Sequence, residues 1–136
     1  MNLDEAVDVL RTQHHAVLAT WRSDGTPQLS PVLVAIDEAG YPVISSRQTA
    51  YKVKNLRRDP RAYLCVFPDT FYGNWVQVDG TVHVVDLPEA MEPLVDYYRR
   101  LSGEHSDWDA YRDAMVRDRR VLLRMTIAKA GPDRAG

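Results

Sequence analysis

A chain of 136 residues, 45% hydrophobic and 26% charged, suits one domain around one buried core. Its formal net charge of -2 argues against a general nucleic-acid coat, and no apolar run approaches the roughly 18–20 residues of a membrane span. The lone Cys65 lies in the apolar run "AYLCVF" without an intrachain disulfide partner, so a buried, inert thiol in a reducing, cytoplasmic compartment is expected.

In chain order, "MNLDEAVDVL" carries acids where a secretory leader would carry basic residues. Asn2 followed by Glu5 resembles a capping box, and Leu3, Ala6, Val7 and Leu10 keep helical spacing, which predicts a first helix ending near Gln13. "AVLATW" reads as a strand and "RSDGT" as a tight turn in which Gly25 takes positive φ. "PQLSPVLVAI" is a second strand whose two prolines place it at an edge or a bulge. "YPVISS" follows as a third. Thr49 is the expected N-cap of a helix over Ala50–Arg58, closed by Asp59-Pro60. "AYLCVF" and the alternating "NWVQVDGTVHVV" are strands, "EAMEPLVDYYRRL" and "SDWDAYRDAMVRD" are helices, and "RVLLRMTI" is a closing strand. Residues 129–136 are expected to form a flexible tail. The gaps between the early strands are too short for repeated crossover helices, which favours an antiparallel sheet with helices outside, an α+β fold in one domain.

One segment concentrates charge. From Ser45 to Ala62 the chain holds Arg47, Lys52, Lys54, Arg57, Arg58 and Arg61, opposed only by Asp59. Lys52 falls in the opening turn of the predicted helix, where the free N–H groups and the helix dipole already favour an anion such as phosphate. Arg47, just before that helix, can add a two-pronged contact. The competing reading is a solvated helix face with Val53 and Leu56 turned inward, and Arg57, Arg58 and Arg61 are assigned to it, paired with surface acids. Gln28 and Ser30 share one face of the second strand, where they either read the edge of a heteroaromatic ring or form the wet side of an edge strand. Trp75 either walls a flat ligand or serves core and interface. His14 and His15 cannot share a face, His83 and His105 stand alone, and no spacing suits zinc or calcium. G-x-S-x-G, P-loop and G-x-G-x-x-G motifs are all missing, so any redox chemistry falls to a bound cofactor.

Three segments in order carry a resemblance: the hairpin "VLATWRSDGTPQLSPV", the strand-helix piece "SSRQTAYKVKNLRRDPRA" and the strand "WVQVDGTV". Together they resemble the pyridoxamine-phosphate-oxidase-like split-barrel superfamily. Within it the chain is similar to the B group of flavin/deazaflavin oxidoreductases, the coenzyme F-420 users of mycobacteria and other actinobacteria. The resemblance implies a six-stranded antiparallel split β-barrel with flanking helices, dimerising so that two cofactor sites form at the subunit interface. It places Lys52 on the cofactor phosphate with Asn55 as a neighbouring polar contact. Gln28, Ser30 and Pro31 lie along the deazaflavin ring, and Ser45 and Ser46 fall on the facing strand. The chain departs from a close relative at Thr26 and Ala50, where that relative has arginines; Arg47 and Lys54 are the candidates to replace the missing charge. The implied activity is hydride transfer from reduced coenzyme F-420 to a small organic acceptor. The alternatives are an FMN-binding oxidase or reductase, an F-420-dependent biliverdin reductase and a non-catalytic F-420-binding protein. Neither nucleic acid nor membrane is expected as a partner. Trp108 and Tyr111, three apart, share a helix face, and Trp108 is expected near the partner subunit.

Overall fold

The protein is described by a computed structural model covering residues 1–133. Helix α1 (Leu3–Leu10) starts where the sequence predicts: the Asn2 side chain accepts the Glu5 backbone N–H at 2.8 Å, and its amide donates to the Glu5 carboxylate at 3.2 Å. Ala6 and Leu10 are its buried face. Strands β1 (His15–Trp21) and β2 (Pro27–Leu33) then form a hairpin in register from His15–Leu33 to Trp21–Pro27. Its turn closes with the Arg22 N–H on the Thr26 carbonyl at 2.9 Å, and Asp24 accepts both the N–H and the hydroxyl of Thr26.

The long second strand expected over Pro27–Ile36 breaks at Val34, whose N–H turns to the His14 carbonyl at 2.8 Å. The remainder is a two-residue strand β3 (Ala35–Ile36) on a different partner, so the sheet has six long strands and this short one. Strand β4 (Pro42–Arg47) leads into α2 (Tyr51–Arg58), followed by β5 (Arg61–Phe67), β6 (Val76–Val85), α3 (Met91–Ser102), α4 (Trp108–Arg117) and β7 (Arg120–Gly131). Every ladder is antiparallel and the order is β2-β1-β5-β6-β7-β4-β3. The sheet curls so that its edge strand β2 and β4, the strand next to the opposite edge, come within 8 Å between Cα atoms without forming a ladder. This is an α+β half-barrel with flanking helices.

Two local expectations change. The N-cap of α2 is Ala50, with no side-chain cap bond, and Thr49 stands exposed outside the helix. Part of the expected tail is ordered sheet, because Lys129, Ala130 and Gly131 pair with Asp79, Val78 and Gln77; residues 134–136 lie outside the described residues. Pairing explains this: β6 is ten residues long and offers a partner for each of them.

The core has two compartments, one on each face of the sheet. Inside the barrel, Leu18, Leu64, Val66, Val78, Leu123 and Met125 pack with Leu10 of α1 and with Val53 and Leu56 of α2. On the other side of β4 and β7, Val43 and Leu122 pack against Leu94, Val95, Tyr111 and Met115 of α3 and α4. Strand β7 is apolar on both faces because both are covered there. Strand β2 lacks a second cover: Gln28, Ser30 and Val32 turn inward while Leu29 and Leu33 remain 66% and 44% exposed.

Candidate functional site

The split between β2 and β4 leaves one edge of each strand without a ladder partner over part of its length, β2 throughout and β4 near Ser45–Arg47. Unpaired strand edges present alternating N–H and C=O groups, ready to bind something extended or flat. Side chains bridge the split at two points. At one, the Tyr97 hydroxyl of α3 donates to the Leu33 carbonyl at 2.8 Å, and the Ser45 backbone N–H acts on the same phenol oxygen. Burial pushes the Tyr97 phenol up, opposed by that N–H and by the charge of Arg120. At the other, Lys52 Nζ of α2 donates to Ser30 Oγ at 3.4 Å.

Helix α2 is fastened to the hairpin by one buried amide. Asn55, 5% exposed, donates to Gln28 Oε1 at 2.8 Å and to Thr20 Oγ1 at 3.2 Å. Its oxygen accepts from Arg58 Nη2 at 3.3 Å, and Arg58 also donates to the Trp21 carbonyl at 2.7 Å. Beside this network a cleft of about 450 Å³ is lined by Arg22, Gln28, Tyr51, Lys54, Asn55 and Arg58. That volume falls within the ordinary range of ligand sites, about 300–1,000 Å³. Lys54 lies over the Tyr51 ring, 5.4 Å from its centroid.

The electrostatics are one-sided. Arg57 pairs with Asp86 and Arg61 with Asp59, as expected of a solvated face. Arg58 departs from that expectation: it bonds carbonyl and amide oxygens at the cleft instead of a surface acid. Lys52 and Arg47 have no carboxylate partner among the described residues. Burial, and secondarily the charge of Arg120, hold the Lys52 ammonium below its ordinary 10.5. Arg120 is the cross-strand neighbour of Arg47.

The structure thus gathers Gln28, Ser30, Lys52, Lys54 and Asn55 around the hairpin–α2 junction, with Arg47 at the exit of β4. It sorts the others differently. Ser45 and Ser46 point to opposite faces, Ser46 buried beside the barrel core and Ser45 half-buried towards α3, because adjacent strand residues alternate. Pro31 faces outward, on the side of the sheet opposite Ser30. Trp75 lies on that outer face too, beside Gln77, Asp79 and Lys129, and β6 is three strands along from β2. Within the chain Trp75 does not join Lys52. Trp108 packs against its own chain, with Tyr98, His105 and Tyr111 5.5–5.7 Å from its ring and Arg99 over it at 4.9 Å, and it remains partly exposed.

Tyr97 and Arg120 were not singled out in the sequence. A signal for Arg120 exists in "RVLLRM", where an arginine on an apolar strand calls for a buried counter-charge. Tyr97, one of two adjacent tyrosines on a helix, carries no distinguishing mark.

A split antiparallel half-barrel with an open seam and a cationic mouth is the architecture of a flavin-type binding barrel. The family model for pyridoxamine 5'-phosphate oxidase matches residues 3–131, and the chain belongs to that family. Among solved structures it is similar to a conserved hypothetical protein of Mycobacterium tuberculosis, with 27% identity over 96% of this chain and 82% of that one, TM-score 0.79. It resembles in fold a protein named F-420 reductase, with 21% identity over 91% and 94% of the two chains, TM-score 0.72. The heme storage protein HutZ of Vibrio cholerae shares the fold at 16% identity over 96% and 94%, TM-score 0.71.

Proposed function

We propose that this protein is an oxidoreductase that binds coenzyme F-420 in the split between β2 and β4 and passes a hydride to a small organic acceptor. The observation that carries the reading is Lys52: a desolvated ammonium at the mouth of the split, hydrogen-bonded to Ser30 and lacking any carboxylate among the described residues. Such a cation is held at a cost that a phosphate offsets. Family membership and the fold shared with the F-420 reductase support the same direction.

The residues present fit the cofactor's demands. Lys52 and Arg47 supply charge for the phosphate, with Lys54 on the adjoining cleft wall. Gln28 lines the cleft with its oxygen engaged by Asn55, which leaves its amide nitrogen as the group to offer a ligand. Asn55 positions rather than touches, since its own amide is committed to Gln28, Thr20 and Arg58. When bound, the reduced deazaflavin would supply the hydride. The chain's own task is then to seat the ring along the open strand edges, hold its tail and leave one face open to the acceptor.

The functional unit in this reading is a homodimer. The outer face of β2-β1-β5 exposes Leu29, Leu33 and Tyr63, and Trp75 and Pro31 lie on the same side. Exposed apolar residues so grouped mark an interaction surface, and a second copy brings a Trp75 that a single chain keeps away from Lys52.

Titration of the purified chain with F-420 and FMN side by side tests the reading. Tighter binding of F-420, with oxidation of its reduced form by an added acceptor, is the expected result. Tighter binding of FMN replaces it with a flavin oxidase or reductase; F-420 binding without turnover on any acceptor replaces it with a carrier.

A further inference from the structure

Arg120 and Arg124 lie on the same face of β7, and each buries its Nε without a hydrogen-bond partner. Arg124 is answered within the chain, because the Asp37 carboxylate stands 3.4 Å from that nitrogen. Arg120 has no such answer: no carboxylate among the described residues pairs with it. Directly across the β4–β7 ladder stands Arg47, and like charges opposite one another repel. Lys52 of α2 is near enough to feel the Arg120 charge, as are Tyr97 of α3 and Tyr111 of α4. Arg120 therefore stands opposite one cation, Arg47 of β4, and within electrostatic range of a second, Lys52 of α2, which itself reaches Ser30 across the split. A guanidinium with a buried, unused N–H beside two other cations calls for an anion that the chain does not supply.

We propose that Arg120 binds the phosphate of the ligand held in the split, together with Lys52. The proposal rests on the flavin-type reading above and extends the tail site beyond the basic segment, to a residue 68 positions after Lys52 along the chain. A forked guanidinium can engage two phosphate oxygens at once, a contact that the point charge of a lysine does not reproduce.

The test is calorimetric titration with two ligand pairs: FMN against riboflavin, which differ by the phosphate alone, and F-420 against its deazariboflavin chromophore, which lacks the phosphate and the tail beyond it. Wild type, Arg120→Gln, Arg120→Lys and the surface control Arg117→Ala are compared, with thermal melts of each ligand-free protein. Arg120→Gln is expected to raise Kd for the phosphorylated ligand about tenfold or more, leaving the phosphate-free partner within about twofold. Arg120→Lys should fall between, and Arg117→Ala should match wild type. Ligand-free Arg120→Gln should melt no lower than wild type, since its loss relieves repulsion from Arg47 and Lys52. Equal losses on both members of a pair, or a lowered ligand-free melting temperature, would make Arg120 a structural residue and overturn the proposal. If wild type binds a phosphorylated ligand and Arg120→Gln binds it equally well, the proposal alone fails. If wild type binds none of the four, the flavin-type reading fails and takes the proposal with it.

Discussion

Lys52 and Asn55 sit on one helix and do opposite jobs. Lys52 has no carboxylate partner among the described residues and bonds only Ser30 at 3.4 Å, whereas Asn55 is consumed inside the chain. Lys52→Ala is expected to raise the Kd for F-420 about tenfold to a hundredfold, the loss of one charge-assisted contact worth about 1.5–3 kcal/mol, read by fluorescence titration. The affinity should also depend on pH. The folded ammonium loses its proton below the ordinary 10.5, so the unfolded chain binds more protons in the alkaline window between the two values. Lys52 therefore costs stability at neutral pH, a cost relieved as pH rises through that window. Phosphate binding runs the other way: it needs the cation and should weaken as pH rises through the lowered folded value. Lys52→Arg, which keeps its charge throughout, should flatten that profile. For Asn55 the measurement is chemical denaturation. Asn55→Ala strands Gln28, Thr20 and Arg58 at a buried site and should cost about 1–3 kcal/mol. Had Asn55 served mainly as a ligand contact, stability would be unchanged and only affinity would fall.

Among the elements, β6 and β7 carry the curl that brings β2 and β4 together. Their ladder shifts register between Asp79 and Gly80, a bulge of the kind that bends a sheet. A Cβ on Gly80 would lie 2.0 Å from the Thr126 carbonyl oxygen, which only backbone movement can relieve. Gly80→Ala is therefore expected to cost about 3 kcal/mol or more and to abolish ligand binding along with the curl, measured by thermal melting and titration. Gly40 makes the contrast. Its φ is +90° but nothing stands within 4 Å of its missing side chain, so Gly40→Ala should cost only about 1–2 kcal/mol and leave binding intact. Helices α3 and α4 act as one unit, joined by the Tyr98–His105–Trp108–Tyr111 ring cluster and by the Tyr111 hydroxyl on the Leu94 carbonyl at 2.8 Å. That unit is what delivers Tyr97 to the split.

At the scale of the molecule, the outer face of β2-β1-β5 is where the chain leaves apolar side chains exposed. Leu29 at 66% and Leu33 at 44% exposure lie on a strand whose inner face is already packed. Leu29→Glu combined with Leu33→Glu should yield a folded monomer with weakened F-420 binding, measured by light scattering and titration at matched concentrations. A monomeric wild type that binds F-420 at full affinity would remove the shared-site idea and leave a site built by one chain around Lys52 and Ser30.

The sequence by itself determined what is local. Helix α1 and its Asn2 cap, the Gly25 turn, the proline-marked edge strand, α2 and its basic face, and the pairing of Gln28 with Ser30 on one face all follow from spacing, φ preference and side-chain chemistry within a few residues. The class of fold was legible for the same reason, since short gaps between strands leave antiparallel pairing as the available choice. Tertiary structure decided whatever depends on which partner a group meets across the sheet. Val34 leaves the ladder because His14 offers its carbonyl. Thr49 does not cap because the chain enters α2 at Ala50, Arg58 turns to Trp21 and Asn55 instead of an acid, and Lys129–Gly131 become strand because β6 is long enough to pair them. Arg120 and Arg124 look alike in "RVLLRM"; only the fold gives one of them Asp37 and leaves the other facing Arg47 and Lys52. A residue's charge is written in the sequence, but whether it is neutralised depends on long-range proximity, which the curl of the sheet sets.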